Sequence, residues 1–180
     1  MTITKLKNPK TKTYREFKKL INSTTFPWQW HSVSTRLDPK IIEDNGKIYH
    51  NISFYTHPFL TRPEGNPKKF PIISSPYVDG AVEVFSEILE YNNVEMYSFL
   101  RMGVNCVHPF EEIKNSIPHI DHPFEHNNIL IYLTNAGGRI FVEDSFHDPE
   151  EDDVIIFEGK THFHQTPASE RRLALVATYI

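Results

Sequence analysis

The pattern of hydrophobic and polar positions divides this chain into an N-terminal part with helices and a C-terminal part with strands. Residues 14–22 and 79–91 carry apolar side chains at the spacing of one helical face, so each segment predicts an amphipathic helix. The apolar stripe of the second helix is predicted to consist of Val82, Phe85, Ile88 and Leu89. Between the two helices, residues 35–76 are rich in proline and turn-forming residues, and residues 62–71 are predicted to form a loop.

After residue 93 the pattern changes to short β-prone runs separated by turns. The predicted strands are residues 94–105, 128–134, 139–144, 153–159, 162–166 and 171–180. Residues 135–138, with the sequence NAGG, are predicted to form a hairpin turn because glycine accepts positive φ. Helices followed by about six short strands predict an α+β, mainly β chain whose C-terminal half is a β-sandwich or jelly roll.

Length and composition narrow the class of protein. A chain of 180 residues with 39% hydrophobic residues is long enough for one domain with a real core. No apolar run approaches the roughly 20 residues of a membrane span, and the first residues contain no apolar signal region, so a cytoplasmic protein is expected (in the host cytoplasm if it is phage-encoded). The single cysteine, Cys106, excludes an internal disulfide and a cysteine-based metal cluster, and it is predicted to be a small buried hydrophobe.

Charge is unevenly distributed along the chain. The net charge of −4 argues against a nucleic-acid partner held by the overall field of the protein. Seven of the nineteen Lys and Arg residues lie within residues 1–20, which predicts a solvated helix and tail, with a basic arm for an anionic partner as the alternative. The acidic residues 148–153, with Asp144 and His147 before them, are predicted to form a solvated loop rather than a second metal site.

Two distant segments carry the candidate chemistry. In a strand, residues i and i+2 point to the same face, so His119 and Asp121 can direct an imidazole and a carboxylate at one ion. Residues 157–172, FEGKTHFHQTPASERR, offer a further histidine and an arginine about ten residues later. Two histidines and one carboxylate form the facial triad of non-haem Fe(II) oxygenases. A guanidinium suits the distal carboxylate of an α-keto acid, because it donates two parallel hydrogen bonds.

The motifs PHIDHP, IYLTNAGGRIFVED, VIIFEG, a histidine and RRLALVATYI follow one another in this order. With this order and spacing, residues 96–180 resemble the Fe(II)- and 2-oxoglutarate-dependent oxygenases, most closely the small prolyl-hydroxylase-like members of phages and bacteria. The resemblance implies a double-stranded β-helix, the jelly-roll fold also found in cupins, with N-terminal helices as support. It implies one domain over residues 1–180, with supporting segments over about 1–95 and the catalytic core over about 96–180.

The resemblance also assigns roles to individual residues. It implies that His119 and Asp121 are iron ligands. It favours His162 over His164 as the third ligand, since His162 precedes Arg172 by ten residues. His164 is then expected to be an inward residue behind the metal or beside the substrate. It favours Arg172 over Arg171 as the residue that binds 2-oxoglutarate.

Other residues are weaker candidates for the pocket. Tyr132 either hydrogen-bonds 2-oxoglutarate or is a core tyrosine. Tyr97, Arg101 and Asn105 share one strand parity and are predicted to line the pocket, with Arg101 either facing outward or meeting an anion. His122 is expected to contact substrate or to be exposed, and the same is expected of the nearby His126.

The resulting expectation is a dioxygenase that uses Fe(2+), 2-oxoglutarate and O2 to hydroxylate a protein side chain or a small amino-acid-like substrate, releasing succinate and CO2. The carboxylate at Asp121 favours hydroxylation, because family halogenases lack this ligand. Two alternatives remain from other classes: a cupin-like metal protein with non-oxygenase chemistry, and a non-catalytic binding protein on the same fold.

Overall fold

Two helices pack against one face of a seven-stranded antiparallel sheet, and a smaller β-layer covers its other face. The computed structural model describes residues 3–34, 41–44 and 46–180. The helices are α1, Lys12–Ile21, and α2, Val78–Tyr91, with a short 3-10 turn at Pro63–Gly65. The strands are β1 Thr4–Leu6, β2 Gln29–His31, β3 Ile41–Asp44, β4 Lys47–His50, β5 Phe54–Leu60, β6 Phe99–Val107, β7 Asn115–Ser116, β8 Asn127–Tyr132, β9 Ile140–Val142, β10 Ser145–His147, β11 Val154–Glu158, β12 His162–His164 and β13 Arg172–Tyr179.

The large sheet has the order β1-β11-β8-β13-β6-β5-β2. The smaller layer consists of two three-stranded sheets, β10-β9-β12 and β3-β4-β7. Isolated bridges between Asn115 and Gln165 and between His119 and His162 join these two sheets. The chain thus forms two facing β-layers, which confirms the predicted mainly β, double-stranded β-helix architecture with N-terminal helices.

Strand alternation separates two cores. Along β13, Leu173 and Leu175 pack in the core under the helices, whereas Ala174 packs in the core between the sheets. The helix-side core is closed by the buried faces of α1 and α2, and both predicted helices are confirmed. Thr11 caps α1, since its Oγ1 accepts a hydrogen bond from the Tyr14 amide at 3.1 Å. None of the helices among the described residues has both the length and the apolar character that crossing a bilayer requires.

The N-terminal part contains more strand than its sequence suggested. β5 lies inside the large sheet between β6 and β2, and β1 pairs with β11 at its other end. The prediction that strands begin only after residue 93 is therefore wrong. Part of the stretch predicted to be irregular, residues 35–40 and 45, lies outside the described residues.

The NAGG segment is not a hairpin turn. Gly137 and Gly138 do adopt positive φ, at 68° and 86°. However, β8 pairs with β11 and β13, and β9 pairs with β10 and β12. Both edges of β8 are already occupied, so the segment crosses from the large sheet to the small one instead of reversing along β8.

The basic N-terminus binds the acidic loop of the same chain. The Asp152 carboxylate accepts a hydrogen bond from the Tyr14 hydroxyl at 2.5 Å and forms ion pairs with Lys18 at 2.5 Å and Lys10 at 2.8 Å. Lys5 forms a further ion pair with Asp153 at 2.6 Å. Burial favours a raised pKa for Asp152, but the hydrogen bonds from Lys10, Lys18 and Tyr14 outweigh it and lower this pKa to about 2. The predictions of a fully solvated tail and a fully solvated acidic loop are wrong at these residues.

We predict that Asp152→Asn lowers the free energy of unfolding by about 1–3 kcal/mol, because it leaves the ammonium of Lys18 and the hydroxyl of Tyr14 without their charged partner. The folded-state pKa of Asp152 lies below its ordinary value of 3.8, so the stabilisation is complete above about pH 4 and disappears as the pH falls towards 2. Urea unfolding at pH 7 and at pH 3 measures both effects. Asp148→Asn is the control, because Asp148 pairs with Arg139 at the exposed surface and its loss costs less than about 1 kcal/mol.

Candidate metal centre

Three potential metal ligands meet between the two β-layers. One ligand atom from each of His119, Asp121 and His162 lies within 4.8 Å of the other two. A pair of backbone hydrogen bonds brings the histidines together, since the amide of each donates to the carbonyl of the other at 3.0 Å. Their rings are 4.5 Å apart between centroids. Among the described residues, no other group of three such side chains comes this close.

Both imidazoles are oriented by nearby carbonyl groups. The Nδ1 atom of His119 lies 3.1 Å from the carbonyl of Ile117, and that of His162 lies 2.9 Å from the carbonyl of Lys160. A carbonyl only accepts hydrogen bonds, so Nδ1 carries the proton in each ring and Nε2 presents its lone pair. Burial lowers the pKa of both histidines, that of His162 to about 4, so both rings are neutral at pH 7.

The third side chain, Asp121, is held by two arginines. Its Oδ1 atom accepts hydrogen bonds from Arg62 Nη2 at 2.6 Å and from Arg101 Nη1 at 2.8 Å. Arg62 Nη1 also donates to the Asp121 carbonyl at 2.6 Å. The other carboxylate oxygen, Oδ2, lies 3.6 Å from His162 Nε2. Burial would raise the pKa of Asp121, but Arg101, His162 and Arg62 together hold it well below its usual range.

These contacts settle the open alternative for Arg101, which meets an anion rather than facing outward. Arg62 was not anticipated from the sequence. It follows β5 in a loop, 59 residues before Asp121, and no local pattern marks that contact. Asn105 shares the inward face of β6, where its Oδ1 accepts a hydrogen bond from Thr56 at 2.8 Å.

A buried arginine lies at the other end of the same interior. Arg172 Nη1 donates to the carbonyls of Gly138 and Gln165, each at 2.8 Å. A Cβ atom on Gly138 would overlap this Nη1 and come within 2.8 Å of the Gln165 carbonyl, so the glycine makes room for the guanidinium. Arg171 is exposed on the opposite side of the chain. Of the two arginines, Arg172 is therefore the one that faces the interior.

His164 and Tyr132 lie inside the same interior. His164 pairs with Ile140 of β9, whose side chain belongs to the core between the sheets, and its Nδ1 lies 3.4 Å from Ser116 Oγ. His164 is not part of the three-residue ligand group. Tyr132 is buried, and burial raises the pKa of its hydroxyl while the charge of Arg172 acts in the opposite direction. The hydroxyl of Tyr132 is therefore protonated at pH 7.

Three further predictions for this region need correction. Tyr97 precedes β6 and is 85% exposed, so it does not line the pocket; the strand begins later, and its pairing shifts at a bulge near Thr178. His122 is buried rather than exposed, and its ring nitrogens lie 2.6 Å from Glu64 and 2.7 Å from Thr178. His126 is also buried and packs edge-on against His122, with ring centroids 4.7 Å apart. Both histidines lie in the loop that follows Asp121 and pack inside the protein rather than at its surface.

We predict that His162→Ala weakens binding of Mn(II) by about 100-fold or more, because it removes a ligand rather than an outer partner. His164→Ala is the matched control, since it removes an imidazole from the same strand and should retain the parent affinity within about tenfold. Titration of Mn(II) followed by electron paramagnetic resonance measures both constants. The reverse order of effects would assign the third ligand to His164.

Comparison with known proteins supports the fold. No protein-family model matches the sequence, and no curated protein is detectably similar to it. Among solved structures, an oxidoreductase of the 2OG-Fe(II) oxygenase family from Burkholderia pseudomallei is similar with a TM-score of 0.58 at 14% identity, over 92% of this chain and 77% of that one. The non-haem α-ketoglutarate-dependent epimerase SnoN from nogalamycin biosynthesis is similar with a TM-score of 0.56 at 10% identity, over 99% of this chain and 77% of that one. The chain therefore has the double-stranded β-helix fold of the 2OG-Fe(II) oxygenase superfamily.

Proposed function

We propose that this protein is an Fe(II)- and 2-oxoglutarate-dependent dioxygenase that hydroxylates a protein side chain or a small amino-acid-like substrate. One observation carries the proposal: two neutral imidazoles and one ionised carboxylate converge in the interior that also contains the buried Arg172. This combination matches the two molecules that such an enzyme must hold, a divalent iron and a dicarboxylate.

The donor set of His119, Asp121 and His162 suits iron. Two imidazole nitrogens and one carboxylate oxygen on one side of a metal leave positions open for other ligands, as in non-haem Fe(II) oxygenases. The ligands are already in their metal-binding protonation states at pH 7, since both rings are neutral and Asp121 is ionised. Iron held there supplies oxygen activation, coupled to the decarboxylation of 2-oxoglutarate to succinate and CO2.

Arg172 is suited to the distal carboxylate of 2-oxoglutarate. Its Nη1 is held by two backbone carbonyls, and within the described part of the chain its other N–H groups have no protein partner. A guanidinium fixed in this way presents donors in the planar geometry that a carboxylate accepts. Tyr132, protonated and buried nearby, is suited to donate a further hydrogen bond to the same group.

The same arginine favours an oxygenase over the two alternatives from other classes. A cupin-like metal protein with other chemistry does not require a buried cation at the far end of its pocket. Desolvation of the Arg172 charge costs free energy unless a ligand or partner compensates for it, so Arg172 favours a protein that binds an anion there. A binding protein without catalysis would not need the ligand group of His119, Asp121 and His162 in the same interior.

The first test uses protein purified without oxygen and loaded with Fe(II) and 2-oxoglutarate. We expect the weak visible charge-transfer band of the iron–2-oxoglutarate chelate in the parent protein and its loss in Asp121→Ala. Arg172→Ala should weaken 2-oxoglutarate binding by about 100-fold, because it removes a buried charged partner. Arg171→Ala, which removes the exposed neighbour, should leave the affinity unchanged. Absence of the band in the parent protein at saturating ligand would refute the proposal.

The second test moves Arg172 without mutating it. Gly138→Ala adds a methyl group where Nη1 lies, so we expect a loss of 2-oxoglutarate affinity of about tenfold or more. Gly137→Ala is the control, since Gly137 also has positive φ but no atom within 4 Å of an added Cβ. Both variants should lose about 1–2 kcal/mol of stability from the unfavourable φ. Calorimetric titration with 2-oxoglutarate in the presence of Mn(II) should separate them, and equal affinities would show that Arg172 does not bind the ligand.

A further inference from the structure

The metal-centre side of the interior contains two guanidinium groups that have hydrogen-bond donors unused by the described residues. Arg62 and Arg101 both donate to the same oxygen of Asp121, so two guanidinium groups share one carboxylate oxygen. Among the described residues, Arg101 donates only that one hydrogen bond, which leaves most of its N–H groups without a protein partner. The side chain of Arg101 is 24% exposed and that of Arg62 is 37% exposed. A ligand can therefore reach the free donors.

The position of Arg101 places these donors on the inner face of the large sheet. Along β6, Met102 and Val104 pack in the helix-side core, so the intervening residues face the opposite layer. Arg101 lies opposite Thr178 near the end of β13, whereas Arg172 begins that strand six residues earlier. The two arginines are therefore separated by about 20 Å of strand, at opposite ends of the interior.

A count of formal charges leaves a surplus after the proposed ligands have bound. Arg62, Arg101 and Arg172 contribute three positive charges. Asp121 and Glu64 contribute two negative charges. Burial would raise the pKa of Glu64, but a backbone hydrogen bond and the contact with His122 outweigh burial and lower this pKa. A divalent metal and doubly charged 2-oxoglutarate cancel each other. One positive charge therefore remains unmatched in this region.

The geometry around Arg101 agrees with this count. Its guanidinium shares the Oδ1 atom of Asp121 with the guanidinium of Arg62. A guanidinium beside a second guanidinium gains most from an additional anion, because like charges in a partly desolvated site repel each other.

We propose that the substrate carries a carboxylate, and that Arg101, with Arg62 beside it, binds this group on the side of Asp121 that faces away from the imidazoles. This inference rests on the proposed function and names the chemical class of its substrate. A carboxylate bound there neutralises the remaining charge and holds the substrate beside Asp121, at the edge of the candidate metal centre. An amide or ester analogue of the substrate offers one neutral carbonyl acceptor instead of a charged pair of oxygens, so it leaves the positive charge unmatched and binds more weakly.

A small probe tests the site without knowledge of the full substrate. Protein loaded with Mn(II) and saturating 2-oxoglutarate is titrated with trifluoroacetate, and the fluorine relaxation rate of the probe is measured. Mn(II) enhances relaxation only at short range, so a saturable enhancement reports a carboxylate bound beside the metal. Trifluoroethanol, which is uncharged, is the matched probe and should show no saturable effect.

Variants assign the binding to the arginines. Arg101→Gln should weaken trifluoroacetate binding by about tenfold or more, because it removes charged hydrogen-bond donors. It leaves both Arg62 hydrogen bonds to Asp121 in place, and Mn(II) affinity measured in the same variant shows how far the metal site depends on Arg101. Arg171→Gln removes the same charge from the exposed side of β13 and should leave the binding unchanged. Displacement of the probe by glycine, compared with displacement by N-acetyl-aspartate amide, then distinguishes a free amino acid from an acidic side chain.

The outcomes separate this inference from the proposed function. Binding of Mn(II) and of 2-oxoglutarate is measured in every variant, and failure of either in the parent protein overturns the proposed function itself. If both bind but trifluoroacetate shows no saturable enhancement, the carboxylate site is overturned. An enhancement that persists unchanged in Arg101→Gln and in Arg62→Gln also overturns it, because the probe then binds the metal directly.

Discussion

A buried carboxylate needs positive partners, and the arrangement around Asp121 depends on that requirement. Its side chain is only 5% exposed, which would force it to become neutral unless nearby charges and hydrogen-bond donors compensated for the lost hydration. Arg101 supplies one partner from the middle of the large sheet, and Arg62 supplies another from the loop that follows β5. Segment 61–65 therefore contacts the loop of Asp121 at two points, because Arg62 binds Asp121 and Glu64 binds His122 of the same loop.

The two arginine contacts also determine which oxygen of Asp121 faces the histidines. Both guanidinium groups bind Oδ1, so Oδ2 is the oxygen left beside His162. Because the arginines already bind Oδ1, only Oδ2 is available to a metal ion. A carboxylate that offers one oxygen suits a site that must keep other metal positions open. The N-terminal strands are therefore more than a support for residues 96–180. β5 adjoins β6 and carries the chain to Arg62, so the residues before 95 contribute directly to the centre.

Local sequence patterns predicted those features whose cause is local. The apolar periodicity of α1 and α2 follows from side chains that must reach one core, and it was readable from the sequence. Alternation predicts that only one of Arg171 and Arg172 faces inward, and the resemblance to the oxygenases favoured Arg172. The errors concern pairing over long distances. The NAGG segment has the composition of a hairpin turn, but the pairing of β8 with β11 and β13 leaves no free edge for β9. Similarly, the N-terminal lysines appear solvated in the sequence, and only the fold brings Lys18 to Asp152, 134 residues later.

The metal centre itself shows the same division between local and long-range causes. Each candidate histidine is oriented by a carbonyl two residues earlier in the chain, Ile117 for His119 and Lys160 for His162. This local contact fixes the tautomer of each ring and leaves Nε2 as the ligand atom. The carboxylate has no equivalent local partner and depends on arginines 20 and 59 residues away. The orientation of the imidazoles therefore has a local cause, whereas the orientation of Asp121, and the partners that keep it ionised when it is buried, exist only in the folded protein.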